Sequence, residues 1–269
     1  MIIGVLLVYY ERYHLSAVTE FQSLLNQIDE NNRVVVVTNN PELKVSNKEY
    51  ILGEDLSSEF SGYDVGIKQV KNIASINYIV FANDTFCHHR HWGSFEKRIF
   101  SKSLRSFVQN KVYGLAGEVN TFEKNFRLIN YQASHWVSTY LFCTNLDLLK
   151  SLNYTLSLDK EFVSKMVGLD PNKNIKWGDD ICPNIKNQLS SWLSATNRHG
   201  WHNRQATISR KIIKIYAILN EFYLSAFAIN NGFKVVDIYQ DLSPIDRVTL
   251  RWIRLKGYIK SHFGLDNVR

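Results

Sequence analysis

The sequence predicts an α/β fold, a mostly parallel sheet flanked by helices, with a basic amphipathic helix at its C-terminal end. Three observations predict it. Short apolar runs rich in β-formers recur at 2–10, 33–38 and 78–81. Stretches with helical spacing separate them, the alternation that builds right-handed βαβ units. The runs also lack the in–out alternation of a half-exposed sheet, so they suit strands covered on both faces.

Each element follows in order. Residues 2–10 read as a strand. Leu15, Val18, Phe21, Leu25 and Ile28 then recur on one helical face, with Glu20, Gln27 and Asp29 opposite. RVVVVT (33–38) is a second buried strand, closed by Asn39-Asn40-Pro41, and 50–52 is a short third. Gly62 and Gly66 precede a helical IKQVKNIA, where glycines let a backbone approach a ligand and a helix start favours anions. Residues 97–110 read as helix and 112–119 as strand. Residues 134–149 begin as strand and end as helix, and 159–166 are again helical. Residues 212–229 are strongly helical, with Gly232 placed to end the helix before a late strand at 233–239. The domain is expected to span 1–240, with 241–269 a separate basic tail.

The chain is organised around INYIVFANDTF (76–86). Its apolar run ends in Asn83-Asp84-Thr85, which reads either as a turn or as a ligand site, because open α/β sheets bind ligands beyond their strand carboxyl ends. A carboxylate there can hold a divalent cation, and the cation a phosphate. Asp179 and Asp180 are adjacent acids that suit a helix cap, a base or a metal ligand. Glu221 stands among Ile218, Leu219, Phe222 and Leu224, where a carboxylate is either partnered or raised in pKa by desolvation. His88, His89 and His91 read as an exposed basic loop, since structural zinc wants four defined ligands. His199, Trp201 and His202 lie in a second polar loop.

Composition narrows the class. Of 269 residues, 45% are hydrophobic and 21% charged, which is ordinary for a globular core. A formal net charge of +7 favours anionic partners: nucleotides, nucleic acid or an anionic membrane face. Cys87, Cys143 and Cys182 form no CxxC pair, which argues against a zinc ribbon and suits a reducing compartment. The first residues read as a strand and not as a leader, and no 18-residue apolar run stands out, so a cytoplasmic setting is expected. In the tail, Ile245, Val248, Trp252, Ile253 and Leu255 mix with Arg247, Arg251, Arg254, Lys256 and Lys260. Such a helix either lies on anionic lipid or packs on the domain with its basic side in water.

Taken in order, these parts resemble nucleotide-sugar-dependent glycosyltransferases of the GT-A fold, the bacterial family 2 type that builds rhamnan, O-antigen and capsular polysaccharide. The resemblance covers roughly 1–240 and lies in a series of short motifs. It implies donor contacts from Tyr9 and Tyr10 after the first strand, from Asn39 where the family often has Asp, from Gly62, Asp64 and Gly66 in FSGYDVGIKQV, and from Asn83 and Asp84. FANDTF takes the metal-motif position, with Asp84 as ligand of Mg²⁺ or Mn²⁺ and Ala82 where a first acid often stands. Glu221 maps to the general base, with Asp179 and Asp180 as rivals. His135, Trp136 and Trp201 map to the acceptor side.

The implied activity is metal-assisted, inverting transfer of a sugar from a nucleotide-diphosphate sugar to a hydroxyl of a growing glycan or glycolipid, at or near the cytoplasmic membrane face. Nucleic acid is not an expected partner. Two other readings stand beside it: a basic nucleic-acid-binding protein, and an inactive transferase-like scaffold.

Overall fold

The computed structural model describes residues 1–54, 59–73, 76–88, 91–194 and 206–263, the side chains of 123 and 257–263 excepted. A seven-stranded sheet forms the centre, in the order β3-β2-β1-β4-β6-β5-β9. β1 (Ile2–Val8), β2 (Asn32–Thr38), β3 (Ile51–Leu52) and β4 (Tyr78–Asn83) run parallel. β6 (Tyr131–Asn145) is antiparallel to β4 and to β5 (Gly114–Leu128), while β9 (Lys234–Asp237) pairs parallel with β5. The sheet is thus mixed, with a parallel half and a hairpin half.

β1 shows why the sheet needs cover on both faces. Ile3, Val5 and Leu7 enter one core, and Ile2, Leu6 and Val8 enter another. This is the two-residue period of a strand. α1 (His14–Ile28) and α4 (Ser94–Gln109) close the second face, bringing Phe21, Leu25, Phe100 and Leu104. α3 (Glu59–Val70), α5 (Leu146–Ser151) and the C-terminal half of α8 (Ile208–Asn230) close the first. α2 (Pro41–Ser46) is a short connector, N-capped by the Asn40 side chain.

Gly62 and Gly66 lie inside α3, not in a loop before it. A Cβ at Gly66 would stand 2.3 Å from a Val5 methyl, and one at Gly62 would stand 2.5 Å from a Leu7 methyl. The two glycines therefore let a helix sit close on β1, which is a packing role. The expected glycine-rich anion loop is corrected on this point.

The β5–β6 hairpin is longer than the expected 112–119 strand. Each arm has 15 residues, on the order of 50 Å at about 3.3 Å per residue. Its outer end leaves the main sheet and enters a third core, where Phe126, Leu128 and Ala133 meet Val163, Met166, Ile185, Leu189, Ile215 and Phe222. These come from α6 (Lys160–Met166), α7 (Pro183–Ser194) and α8. A small antiparallel pair, β7 (Val167–Leu169) and β8 (Ile175–Trp177), joins α6 to α7.

α8 has a hydropathy and length that would allow a membrane crossing, but 56% of its most apolar window is buried in the domain. It ends at Asn230, and Gly232 follows with φ +79°, the left-handed conformation that glycine supplies after a helix. α9 (Pro244–Phe263) closes the described chain. It docks on α4 through Leu250 and Ile253, which join Phe95, Ile99 and Leu242.

Candidate functional site

The first crossover connections leave β1 in one direction and return to β4 on its other side, so β1 and β4 flank the point where strand order reverses. Ligands of open α/β sheets bind at that point. A cleft of about 870 Å³ opens there, within the roughly 300–1,000 Å³ common for ligand pockets. One wall is the loop after β1, with Tyr10 and Arg12, together with Asn83 and Thr85 at the end of β4. The floor is β6, through Trp136, Ser138, Thr139 and Tyr140, beside Asn120 of β5. Gln188, Leu189 and Trp192 of α7 face Lys214, Ile218, Glu221 and Phe222 of α8. Glu59, in the first turn of α3, completes the lining.

Glu221 is the group the site is built around. Its Oε1 accepts the Thr139 backbone N–H at 2.6 Å and the Thr139 hydroxyl at 3.3 Å. Burial pushes its carboxyl up to about 7, and nearby Glu59 pushes in the same direction. The Thr139 hydrogen bonds and the Lys214 ammonium pull the other way, so desolvation wins. Both hydrogen bonds fall on Oε1, which leaves Oε2 without one among the described residues.

Thr139 is in turn fixed from behind. Its carbonyl accepts the Tyr63 hydroxyl at 3.0 Å. The Tyr63 ring is fully buried, edge-on to Phe81 and Phe142, which stack on each other with centroids 4.9 Å apart. Its hydroxyl also meets the Asn83 side chain. Burial, then the charges of Glu59, Glu221 and Asp84, hold the phenol well above its usual range. Tyr63 therefore lies within electrostatic reach of both Asp84 and Glu221, and the two carboxylates belong to one region of the molecule.

Asp84 holds the loop after β1. It is 2% exposed, and its Oδ2 accepts the backbone N–H groups of Tyr9 and Tyr10, each at 2.8 Å. The Tyr9 carbonyl accepts the Asn40 side-chain amide at 3.0 Å. Together they hold the β1–α1 loop against the strand ends. Asn83 and Thr85 line the cleft, one on each side of Asp84 in sequence. Among the described residues, no three acidic, histidine or cysteine side chains group as metal ligands. One carboxylate already shared by two N–H donors is not a cage of protein ligands, so Mg²⁺ or Mn²⁺ held at Asp84 would take most of its ligands from a bound diphosphate.

The expected residues fall in several places. Tyr10, Asn83, Trp136 and Glu221 line the cleft together. Tyr9 stands beside it, ring edge to Tyr10. Asn39, Gly62, Asp64 and Gly66 lie behind it as packing and anchoring residues. Asn39 is buried, and its carbonyl oxygen lies within 3.3 Å of where a Gly62 Cβ would stand. Asp64 accepts the Leu156 N–H at 2.6 Å and the Ser157 N–H and hydroxyl, tying the segment after α5 to α3. His135, next to Trp136 on β6, does not line the cleft, and its ring nitrogen bonds the neighbouring Ser134 hydroxyl. Asp179 and Asp180 are exposed in the turn between β8 and α7, and neither lines the cleft. Trp201, with His199 and His202, lies outside the described residues, as does His89. His88 stacks on Tyr13 at 4.2 Å and bonds Ser16, and His91 pairs with Glu96 at 3.5 Å, so these two face different partners.

Several cleft residues carried no motif. Arg12, Glu59, Asn120, Thr139 and Trp192 come together only through the fold. Lys214 and Ile218 were within reach of sequence reasoning. With Glu221 and Phe222 they form an i, i+4, i+7, i+8 set, one face of a helix.

No protein-family model matches the chain, and no curated protein sequence matches it. Among solved structures, the chain is similar to a 4-diphosphocytidyl-2C-methyl-D-erythritol synthase from Anaerococcus prevotii. The identity is 10% and the TM-score 0.38, over 81% of this chain and 97% of that one. It is also similar to the mannosyltransferase PcManGT from Pyrobaculum calidifontis, solved with GDP-Man and Mn²⁺. There the identity is 11% and the TM-score 0.34, over 95% of this chain and 80% of that one.

Proposed function

We propose that the cleft is the active site of a nucleotide-sugar-dependent glycosyltransferase, with Glu221 as the general base. The observation that carries the reading is the Glu221 carboxylate lining an open cleft with Oε1 held by Thr139, where burial pushes the carboxyl up to about 7. A base works best when its pKa lies near the working pH, because it is then largely ionised yet still basic enough to take a proton. An acceptor hydroxyl gives its proton to Glu221 as its oxygen attacks the anomeric carbon of the donor. The bond from that carbon to the diphosphate oxygen breaks, and the nucleoside diphosphate leaves with the electron pair. Direct attack of this kind inverts the anomeric configuration.

The charge of the leaving diphosphate falls to Arg12 and Lys214, the cations that line the cleft, with Asn83 and Thr85 as hydrogen-bonding partners. Trp136, Trp192 and Phe222 offer ring faces for the sugars of a glycan acceptor. No step here is assigned to a metal ion. The test is a panel of nucleotide-diphosphate sugars, with and without glycan acceptors, assayed for nucleoside diphosphate release. Release in the wild type that is lost in Glu221→Gln supports the reading. Equal turnover in both proteins overturns it.

A further inference from the structure

α9 presents two faces with opposite character. One is committed to the domain. Arg98 holds Asp246 through two contacts, the closer at 2.5 Å, and the Ser243 hydroxyl bonds the same carboxylate at 2.8 Å. Leu250 and Ile253 pack into the small core on α4. Arg254 lies 3.9 Å from Glu118 and over the Tyr239 ring at 5.5 Å.

The other face is bare and apolar. Ile245 is 78% exposed, Val248 55%, Trp252 58% and Leu255 47%. Their spacing of three, four and three residues puts them on one stripe, since a helix turns every ~3.6 residues. On the same helical geometry that stripe lies roughly opposite Asp246, Leu250 and Ile253, so docking does not cover it. Arg251 borders it on one side and Lys256 on the other, and both are exposed. Single exposed apolar residues are ordinary, but a continuous stripe of four on one helix marks an interaction surface.

We infer that α9 is an in-plane membrane anchor that seats the Ile245–Val248–Trp252–Leu255 stripe in the headgroup region of an anionic bilayer. The flanking cations choose this occupant. An apolar stripe alone fits another protein as well, whereas cations on both borders fit a surface of phosphates above hydrocarbon. Trp252 at the middle of the stripe suits the interface, where its ring can be buried while its N–H stays wet. The Arg98–Asp246 pair keeps the anchor tied to the domain, so docking orients the whole sheet relative to the bilayer. The inference rests on α9 alone and stands whether or not the cleft transfers sugar.

The test is sedimentation of the full chain with vesicles of about 30% phosphatidylglycerol in phosphatidylcholine, against pure phosphatidylcholine. The wild type is expected to bind the anionic vesicles and to release in high salt, as screening requires. Trp252→Glu and the double variant Arg251→Gln, Lys256→Gln are each expected to weaken binding about tenfold or more. Their melting temperatures should match wild type, because all three positions are exposed. Absence of binding to either vesicle overturns the inference, as does binding that none of the substitutions changes. Self-association of the wild type that Trp252→Glu abolishes, without vesicle binding, also overturns it and assigns the stripe to a second copy.

Discussion

Glu221 and Thr139 are joined by a 2.6 Å hydrogen bond from a strand amide to a helix carboxylate. The contact joins two layers of the fold, β6 and α8, at the place where chemistry is proposed. It also fixes which oxygen is occupied and so orients the other.

Glu221→Gln separates activity from stability. The folded carboxyl is raised above its ordinary value of 4.5 to about 7, so the folded state binds more protons than the unfolded state between those values. Stability therefore falls as pH rises through that window and levels off above it. The cost at high pH is at most about 3 kcal/mol, from about 1.4 kcal/mol for each unit. The amide variant can still accept the Thr139 N–H. It should melt higher than wild type at pH 8 and nearly with it at pH 4, while transfer falls by about a hundredfold or more. Melting curves at the two pH values check the sign.

Tyr63→Phe removes the hydroxyl that steadies the Thr139 carbonyl. Loss of one buried hydrogen bond should cost about 1 kcal/mol of stability. If Tyr63 positions the Thr139 peptide for Glu221, kcat falls while KM for the donor holds, and the acidic limb of the pH–rate profile shifts. A purely structural role would lower the melting temperature and leave that limb in place.

Asp84→Ala leaves the Tyr9 and Tyr10 amides without their acceptor. The expected cost is about 1–3 kcal/mol, with a weaker hold on the donor because the β1–α1 loop carries Tyr10 and Arg12. Addition of Mn²⁺ alone should leave the wild-type melting temperature unchanged. A metal-dependent rise that disappears in Asp84→Ala would return Asp84 to the role of cation ligand.

Gly66→Ala distinguishes packing from anion binding. A methyl at 2.3 Å from Val5 must push α3 off β1, which should cost about 1–3 kcal/mol. KM for the donor at a temperature where the variant is folded should match wild type. A raised KM without loss of stability would restore the phosphate-cradling reading of the helix start.

Much of the fold was legible because its strands are buried on both faces. Runs such as RVVVVT and YIVF have no other plausible environment at that length, and β2 and β4 fall where the pattern puts them. The start of α3 was not legible. Gly62 and Gly66 are poor helix formers, and only contact with Val5 and Leu7 explains a helix through them. The extension of β5 to Leu128 was hidden as well, because 119–127 mixes polar and apolar residues across two register shifts. In the site, Glu221 was legible as a carboxylate embedded in an apolar helix. Asp84 was legible as important, but its partners are backbone amides 74 and 75 residues away, which no local pattern records. Thr139 contributes chiefly a peptide N–H, and a peptide group leaves no mark in the identity of a residue.

The hairpin of β5 and β6 gives the cleft one unyielding wall and leaves the other open to change. Trp136 pairs with Asn120 of β5, the Asn120 side chain bonds the Ser138 hydroxyl, and Thr139 is held by Tyr63 and Glu221, so they cannot shift without disturbing the strands and helices around them. Gln188 and Trp192 belong to a separate helix that packs on the sheet at the hairpin's far end. Substitutions on α7 can thus reshape what the cleft admits while Glu221 and Thr139 stay in register. A lineage carrying this scaffold can diversify the cleft's occupants from that side alone.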